Sequence, residues 1–146
     1  MKVLLTGASG FLGRALALRL GADHEVVGTR HAHGDPVPGC RLVELDASSA
    51  EACADLVRRT RPALVVHAAA VSKPDACERD PERAEAVNVG ATAALAAAAA
   101  EVGARFVFFS SDQVHDGRAA PYADGTVPSP LSAYGRQKVR AEEAAL

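Results

Sequence analysis

Five short apolar runs alternate along the chain with segments whose apolar side chains recur at helical spacing. The apolar runs lie at residues 3–5, 25–29, 41–45, 63–67 and 105–109. The helical segments lie at residues 14–20, 49–60, 82–102 and 132–146. Short apolar runs predict buried strands, and the alternation of strands with helices predicts a parallel sheet covered on both faces. The fold class is therefore α/β, a doubly wound parallel sheet of the Rossmann type, with strand order 3-2-1-4-5.

Three glycines follow the first predicted strand at three-residue spacing, in TGASGFLG. A glycine at the strand end permits a sharp turn, a second lets the backbone approach a pyrophosphate, and a third lets the helix lie close to the strand. The helix then presents free N–H groups and the positive end of its dipole to phosphate. Gly7, Gly10 and Gly13 therefore predict a dinucleotide site, although a tight turn without a ligand would give the same spacing.

The residues after the second predicted strand indicate which dinucleotide is favoured. An acidic residue there suits the ribose 2′-hydroxyl of NAD, whereas an arginine suits the 2′-phosphate of NADP. Arg30 occupies this place and Asp35 is the next carboxylate, so the sequence favours NADP, unless Arg30 is only a solvated loop residue. His31 and His33 follow in a loop with no third ligand, and we expect exposed histidines there, not a metal site.

Small side chains follow the fourth predicted strand, where a central parallel strand would reach the ligand edge of the sheet. Ala68, Ala69 and Ala70 leave room there for a ligand. His67 precedes them, and we expect it to pack beneath the cofactor without a chemical role. Asn88 stands inside a predicted helix although asparagine is a poor helix former.

Tyr134 and Lys138 are four residues apart in the last predicted helix, so they share one face. A neighbouring ammonium lowers the pKa of a phenol, which suits reversible proton transfer to a carbonyl oxygen while a nicotinamide supplies hydride. The fifth predicted strand runs directly into Ser110, Ser111 and Asp112, where a hydroxyl can bond the same oxygen. A Tyr–Lys pair alone is more often surface packing, but together the three motifs favour a short-chain reductase.

These motifs resemble the extended short-chain dehydrogenases/reductases and, more closely, the dTDP-4-dehydrorhamnose reductase family. The resemblance covers nearly the whole chain. It rests on TGASGFLG, HAA, PDACERDPERAEAVNVGAT, SSDQVHDG, PYAD and PLSAYGRQKVRAEE. Gln113 and His115 depart from the family pattern, which usually has tyrosine and phenylalanine there, and they leave the exact sugar open.

The resemblance implies roles for individual residues. Tyr134 is the proton donor, Lys138 lowers its pKa and holds the nicotinamide ribose, and Ser111 and Asp112 assist the tyrosine. Asn88 holds the active-site backbone, unless it is a solvated helix residue. The implied cofactor-binding residues are Gly7, Ser9, Gly10, Phe11, Leu12, Arg30, Asp46, Ala47, Ala68, Ala69 and Ala70, together with Tyr134 and Lys138. Asp46 would bond adenine, but it and the serines after it can equally serve to cap the next helix.

The resemblance further implies reduction of a 4-keto nucleotide sugar with NADPH, as in dTDP-rhamnose biosynthesis. A non-catalytic, cofactor-binding regulatory subunit and a nucleotide-sugar epimerase or dehydratase stay open as alternatives. Reductases of this kind are longer, so a C-terminal substrate lobe is expected to be missing and the fifth strand to be an uncovered edge. The helices beginning at Glu82 and Ser132 are candidates for a homodimer interface.

Composition narrows the classes of partner. The 146 residues suffice for one domain, spanning 1–146, and the net charge is −2, which gives no electrostatic footprint for nucleic acid. No apolar run has the length of a membrane span and no secretory signal is recognisable, so we expect a cytoplasmic protein without a membrane partner. The three cysteines lack CxxC spacing, and we expect them to be reduced thiols.

Overall fold

The computed structural model describes residues 1–31 and 35–146 and contains one parallel sheet of five strands. The strands are β1 (Lys2–Thr6), β2 (Glu25–Arg30), β3 (Arg41–Glu44), β4 (Leu64–His67) and β5 (Arg105–Phe108). Their order is β3-β2-β1-β4-β5, which confirms the predicted topology. The carboxyl ends of all five strands therefore meet at one edge, where the loops that carry the candidate chemistry begin.

Six α-helices connect and cover these strands in the described part of the chain. They are α1 (Phe11–Gly21), α2 (Ala50–Thr60), α3 (Pro74–Arg79), α4 (Pro81–Glu85), α5 (Ala91–Glu101) and α6 (Ala133–Ala145). A π-helical turn, Ala86–Gly90, joins α4 to α5, and a 3-10 turn, Asp112–Val114, follows β5.

Two expectations about the segment after β4 are wrong. The stretch at 71–81, which lies outside the predicted helical segments and is predicted from the sequence to be a polar loop, contains α3, because Pro74 occupies the first turn of a helix, where its missing N–H costs nothing. The single helix expected at 82–102 begins at Pro81 and is interrupted by the π-helical turn. Its alanine-rich composition indicated helix correctly, but tertiary contacts of Asn88 determine where the regular spacing breaks.

Two hydrophobic cores lie on opposite faces of the sheet. One packs α2 and α5 against Leu4 and Val65, with alanines of α5 allowing the two helices to approach closely. The other packs α1 against Val3 and Leu5. β5 is an edge strand, and Val107 on its outer face is 44% exposed, as the prediction of an uncovered fifth strand implies.

Candidate functional site

A cavity of about 300 Å³ opens at the carboxyl ends of β1, β2 and β4. The chain crosses there from one half of the sheet to the other, which is where open α/β sheets bind ligands. The predicted cofactor residues that line the cavity are Gly7, Ser9, Gly10, Arg30, Asp46, Ala47, Ala68, Ala69 and Ala70. Phe11 and Leu12 are instead exposed at the start of α1 and do not belong to the lining. Arg83 and Val87 line the cavity without having been predicted.

The turn between β1 and α1 depends on two glycines. Gly7 has a φ of +71°, and a Cβ on it would lie 2.8 Å from backbone atoms of Ala69. A Cβ on Gly13 would lie 2.0 Å from the carbonyl oxygen of Gly7. The Gly7 N–H donates to Thr29 Oγ1 at 3.1 Å, which ties the turn to β2. The sharp turn and the close approach of the helix are therefore as the spacing predicts.

The N-terminus of α1 suits a phosphate group. Gly10 is the N-cap residue of α1, and among the described residues no side chain makes a capping hydrogen bond there. An uncapped helix end offers free N–H groups and the positive end of the dipole to an anion. The lining at this end is made of small residues, so the chain fits a dinucleotide whose pyrophosphate is held by backbone N–H groups of the first residues of α1, after Gly10.

Arg30 is the last residue of β2 and lies at the other end of the cavity. Its Nη2 is 3.5 Å from Glu44 Oε1, and its side chain is 24% exposed. It is therefore not the solvated loop residue of the alternative interpretation. A guanidinium there fits a 2′-phosphate, whereas the adjacent Glu44 carboxylate opposes a second negative charge.

Asp46 lines the cavity and does not cap α2. Its Oδ1 accepts hydrogen bonds from the Ser48 N–H at 3.0 Å and the Ser48 hydroxyl at 2.7 Å, and these bonds lower the pKa of its carboxyl. The cap of α2 itself is Ser49, whose hydroxyl accepts from the Ala52 N–H. Asp46 therefore shapes the turn while its carboxylate lines the cavity, and its contact with adenine stays a prediction.

Among the residues that the structure describes, no group of three His, Cys, Asp or Glu side chains could hold a metal ion. His31 accepts a hydrogen bond at Nε2 from Arg83 Nη2 at 3.1 Å. His33 lies outside the described residues. No helix of the described chain is long and apolar enough to cross a bilayer.

A buried chain of hydrogen bonds runs beneath the cavity from β1 to α5. The Ala69 N–H donates to Thr6 Oγ1 at 3.3 Å, and Thr6 Oγ1 lies 2.6 Å from His67 Nδ1. His67 Nε2 lies 3.1 Å from Thr92 Oγ1, and the Thr92 hydroxyl donates to the Asn88 carbonyl at 2.9 Å. Because the Thr92 proton is donated onward, His67 donates from Nε2 and accepts at Nδ1. His67 is thus a satisfied structural residue, as expected.

We expect the free energy of unfolding to fall below about pH 6.5, where the unfolded chain protonates His67 and the folded chain does not. Burial lowers the pKa of His67 to about 3, and the charge of Lys138 acts in the same direction. Because an unfolded histidine has a pKa of about 6.5, the unfolded chain binds the extra proton below that pH. Lowering the pH from 7 to 5 should reduce the free energy of unfolding by about 2 kcal/mol, measured by urea denaturation.

The matched variant for this measurement is His67→Gln, which cannot titrate. It should lose most of the difference in stability between the two pH values, whatever its absolute stability. An original chain that is equally stable at both values would contradict the neutral buried histidine.

Asn88 lies in the π-helical turn and is 1% exposed. Its Oδ1 accepts from the Val71 N–H at 2.8 Å, and its Nδ2 donates to the Val71 carbonyl at 3.2 Å and to Gln137 Oε1 at 2.8 Å. One side chain therefore satisfies both backbone groups of the residue that follows the cavity-lining alanines. The solvated alternative is wrong, and Asn88 holds this backbone as the resemblance implies. Gln137 was missed because nothing in its spacing distinguishes it.

The predicted catalytic residues lie together beyond the end of β5, the neighbour of β4, and neither Tyr134 nor Lys138, which were also predicted to bind the cofactor, lines the cavity. Tyr134 and Lys138 are both buried on α6, at 7% and 3% exposure. Ser111 Oγ lies 3.1 Å from Asp112 Oδ1 and is also hydrogen-bonded to the Tyr134 hydroxyl. The structure therefore brings together a phenol, a serine hydroxyl and an ammonium, while their catalytic roles stay predictions.

Lys138 does not lower the pKa of Tyr134 here, contrary to the expectation. Burial raises the pKa of Tyr134, the hydrogen bond with Ser111 opposes that rise, and the Asp112 carboxylate adds to it. The Lys138 Nζ donates to the Phe109 carbonyl oxygen at 2.6 Å and lies 6.0 Å from the centre of the Tyr134 ring. The spacing placed both residues on one face but could not give the direction of a long side chain.

The parallel sheet, the glycine turn and the Tyr–Lys helix are those of the short-chain dehydrogenase/reductase class. The family model described as the RmlD substrate binding domain matches residues 1–146, and the chain belongs to this family. Relatives include methionine adenosyltransferase 2 subunit beta of Rattus norvegicus, 37% identical over 99% of this chain and 42% of that protein. The probable low-salt glycan biosynthesis reductase Agl14 of Haloferax volcanii is 36% identical over 99% of this chain and 48% of that protein.

Solved structures show the same fold. A hypothetical dTDP-4-dehydrorhamnose reductase from Sulfolobus tokodaii superposes with a TM-score of 0.90 and 32% identity, over 100% of this chain and 52% of that one. The dTDP-4-dehydrorhamnose reductase of Bacillus anthracis in complex with NADP superposes with a TM-score of 0.82 and is 26% identical, over 99% of this chain and 48% of that one. MoeE5 in complex with UDP-glucose and NAD superposes with a TM-score of 0.85 and is 30% identical, over 99% of this chain and 48% of that one. The chain thus spans about half the length of these relatives or less.

Proposed function

We propose that this protein is an NADPH-dependent reductase of a 4-keto nucleotide sugar. The observation that carries the proposal is that Tyr134, Lys138 and Ser111 lie together after β5, at the same edge of the sheet as a cavity that ends in an uncapped helix N-terminus. Membership of the RmlD substrate binding domain family and the similarity to reductase structures support the substrate class.

The chain's own residues supply the proton and the orientation of the substrate. A nicotinamide, when bound, supplies hydride to the carbonyl carbon. The Tyr134 hydroxyl donates its proton to the carbonyl oxygen, and its raised pKa keeps the phenol protonated at neutral pH. Ser111, hydrogen-bonded to Tyr134, orients that hydroxyl. The buried Lys138 ammonium, on the same helix, would hold the nicotinamide ribose.

Arg30 is the basis of the NADPH preference. Arg30→Ala should weaken NADPH binding by about 10- to 100-fold and change NADH binding much less, because charge-assisted hydrogen bonds to the 2′-phosphate contribute about 1.5–3 kcal/mol. Calorimetric titration of both cofactors measures this. Arg105→Ala is the control, since Arg105 is exposed at the opposite, amino end of β5. Equal loss for both cofactors would contradict 2′-phosphate recognition by Arg30.

A non-catalytic regulatory subunit is the second candidate, favoured by the 37% identity to methionine adenosyltransferase 2 subunit beta. Consumption of NADPH in the presence of a dTDP-4-keto-6-deoxy sugar separates the two, with calorimetric NADPH binding as the control. Turnover supports the reductase, and binding without turnover supports the regulatory subunit. Absence of both would overturn the cofactor assignment itself.

A further inference from the structure

The ring of Phe108 faces the ammonium of Lys138. Lys138 Nζ lies 4.0 Å from the centre of that ring, within the distance of about 6 Å over which cations are attracted to an aromatic face. The same nitrogen donates to the carbonyl oxygen of Phe109 at 2.6 Å. Because the Lys138 side chain is buried, water screens these two contacts little.

We propose that Phe108 is a positioning residue, whose ring face holds the charged Lys138 ammonium at the end of β5 beside Tyr134. The inference rests on the proposed function, in which Lys138 holds the nicotinamide ribose, and it names the residue through which the fold fixes that lysine. Phe108 does not touch the reacting atoms, and it acts through Lys138 alone.

The other groups around Lys138 explain why an aromatic face is needed. Burial lowers the pKa of Lys138 to about 8, and the Glu142 carboxylate opposes that change. Glu142, one turn further along α6, accepts a hydrogen bond from the hydroxyl of Ser110, in the loop that follows β5. The direct contacts that offset the burial of the charge are therefore the Phe109 carbonyl dipole and the Phe108 ring.

His67 and Tyr134 complete the titratable surroundings of this lysine. His67 is the cross-strand partner of Phe108, and their ring centres lie 5.7 Å apart. The pKa of His67 is lowered to about 3, so it adds no positive charge beside Phe108 near neutral pH. Tyr134 is protonated in the same range because burial raises its pKa. The Phe108 face therefore holds a single cation.

The test is the titration of the Lys138 side chain by NMR in the full chain. The sequence contains three lysines, Lys2, Lys73 and Lys138, so their 13Cε signals can be resolved and assigned. Phe108→Leu keeps an apolar side chain of similar volume but removes the π face. It should lower the pKa of Lys138 by about one pH unit, because the aromatic face favours the charged form.

Phe106→Leu is the matched control. Phe106 lies two residues earlier on the same face of β5, and its ring is 6.2 Å from His67, like Phe108 a neighbour of that histidine. This variant loses a ring from the same core and should leave the Lys138 titration unchanged. Equal Lys138 titrations in the two variants would overturn the proposal, whereas a drop confined to Phe108→Leu supports it.

Two further measurements keep the test decisive. If Phe108→Leu does not fold, a fluorinated phenylalanine at position 108 retains the shape and weakens the ring face, and it should lower the same pKa. In an active protein, the alkaline limb of the kcat pH profile should move to lower pH in Phe108→Leu but not in Phe106→Leu. Because the NMR titration needs neither cofactor nor turnover, its result stands even where the reductase proposal fails.

Discussion

Tyr134→Phe is expected to lower kcat for reduction of a 4-keto nucleotide sugar by about 10²- to 10⁴-fold, the usual contribution of a positioned proton donor. The variant keeps the buried ring and loses only the hydroxyl that bonds Ser111. Cofactor affinity should change little, because the lining of the cavity does not include Tyr134. Steady-state turnover and calorimetric NADPH binding, measured on the same preparation, check both halves of this expectation.

The sequence offers a matched control for this variant, since it contains two tyrosines. The Tyr122 hydroxyl donates to Asp116 Oδ1 at 2.7 Å, in the long loop before α6. Tyr122→Phe removes the same atom from that loop and should retain turnover. A Tyr134→Phe variant as active as Tyr122→Phe would exclude Tyr134 as the proton donor, even if the protein is a reductase.

The strands and the sheet order could be predicted because they follow from short-range patterns. Val3 to Leu5 form an apolar run that is followed by Thr6 and Gly7. Because crossover connections between parallel strands are right-handed, few sheet topologies then remain. The α3 helix was missed since Pro74 marks a helix start as readily as a loop. The π-helical turn was missed because its cause is a tertiary bond from Asn88 to α6.

In the candidate site, too, the features set by local sequence spacing could be predicted, and those set by contacts between distant parts of the chain could not. Glycine spacing and the Tyr134–Lys138 interval express local geometry, so both features appear where the sequence placed them. The contact between Lys138 and Phe108 joins elements thirty residues apart, and no local pattern encodes the direction of a lysine side chain. The prediction that Lys138 lowers the pKa of Tyr134 failed for this reason.

The long-range bonds of Asn88 make it the residue whose loss should most damage the fold around the cavity. Asn88→Leu keeps the branched shape but leaves the Val71 N–H and Gln137 Oε1 without a hydrogen-bond partner, and it leaves the Val71 carbonyl with only the weak thiol donor of Cys77. Each buried group left unpaired costs about 1–3 kcal/mol, so urea denaturation should show a loss of about 3–5 kcal/mol. NADPH affinity should fall as well, because Val71 follows the alanines that line the cavity.

Gln137→Met separates this effect from ordinary repacking of α6. It removes the hydrogen bond to Asn88 Nδ2 but leaves that nitrogen bonded to the Val71 carbonyl, so the loss should be only about 1 kcal/mol. NADPH binding should then be retained, because both backbone groups of Val71 keep their partners. If Asn88→Leu proves as stable as Gln137→Met, the clamp on Val71 contributes little, and the cavity wall must be held by the sheet and the Thr6–His67–Thr92 chain instead.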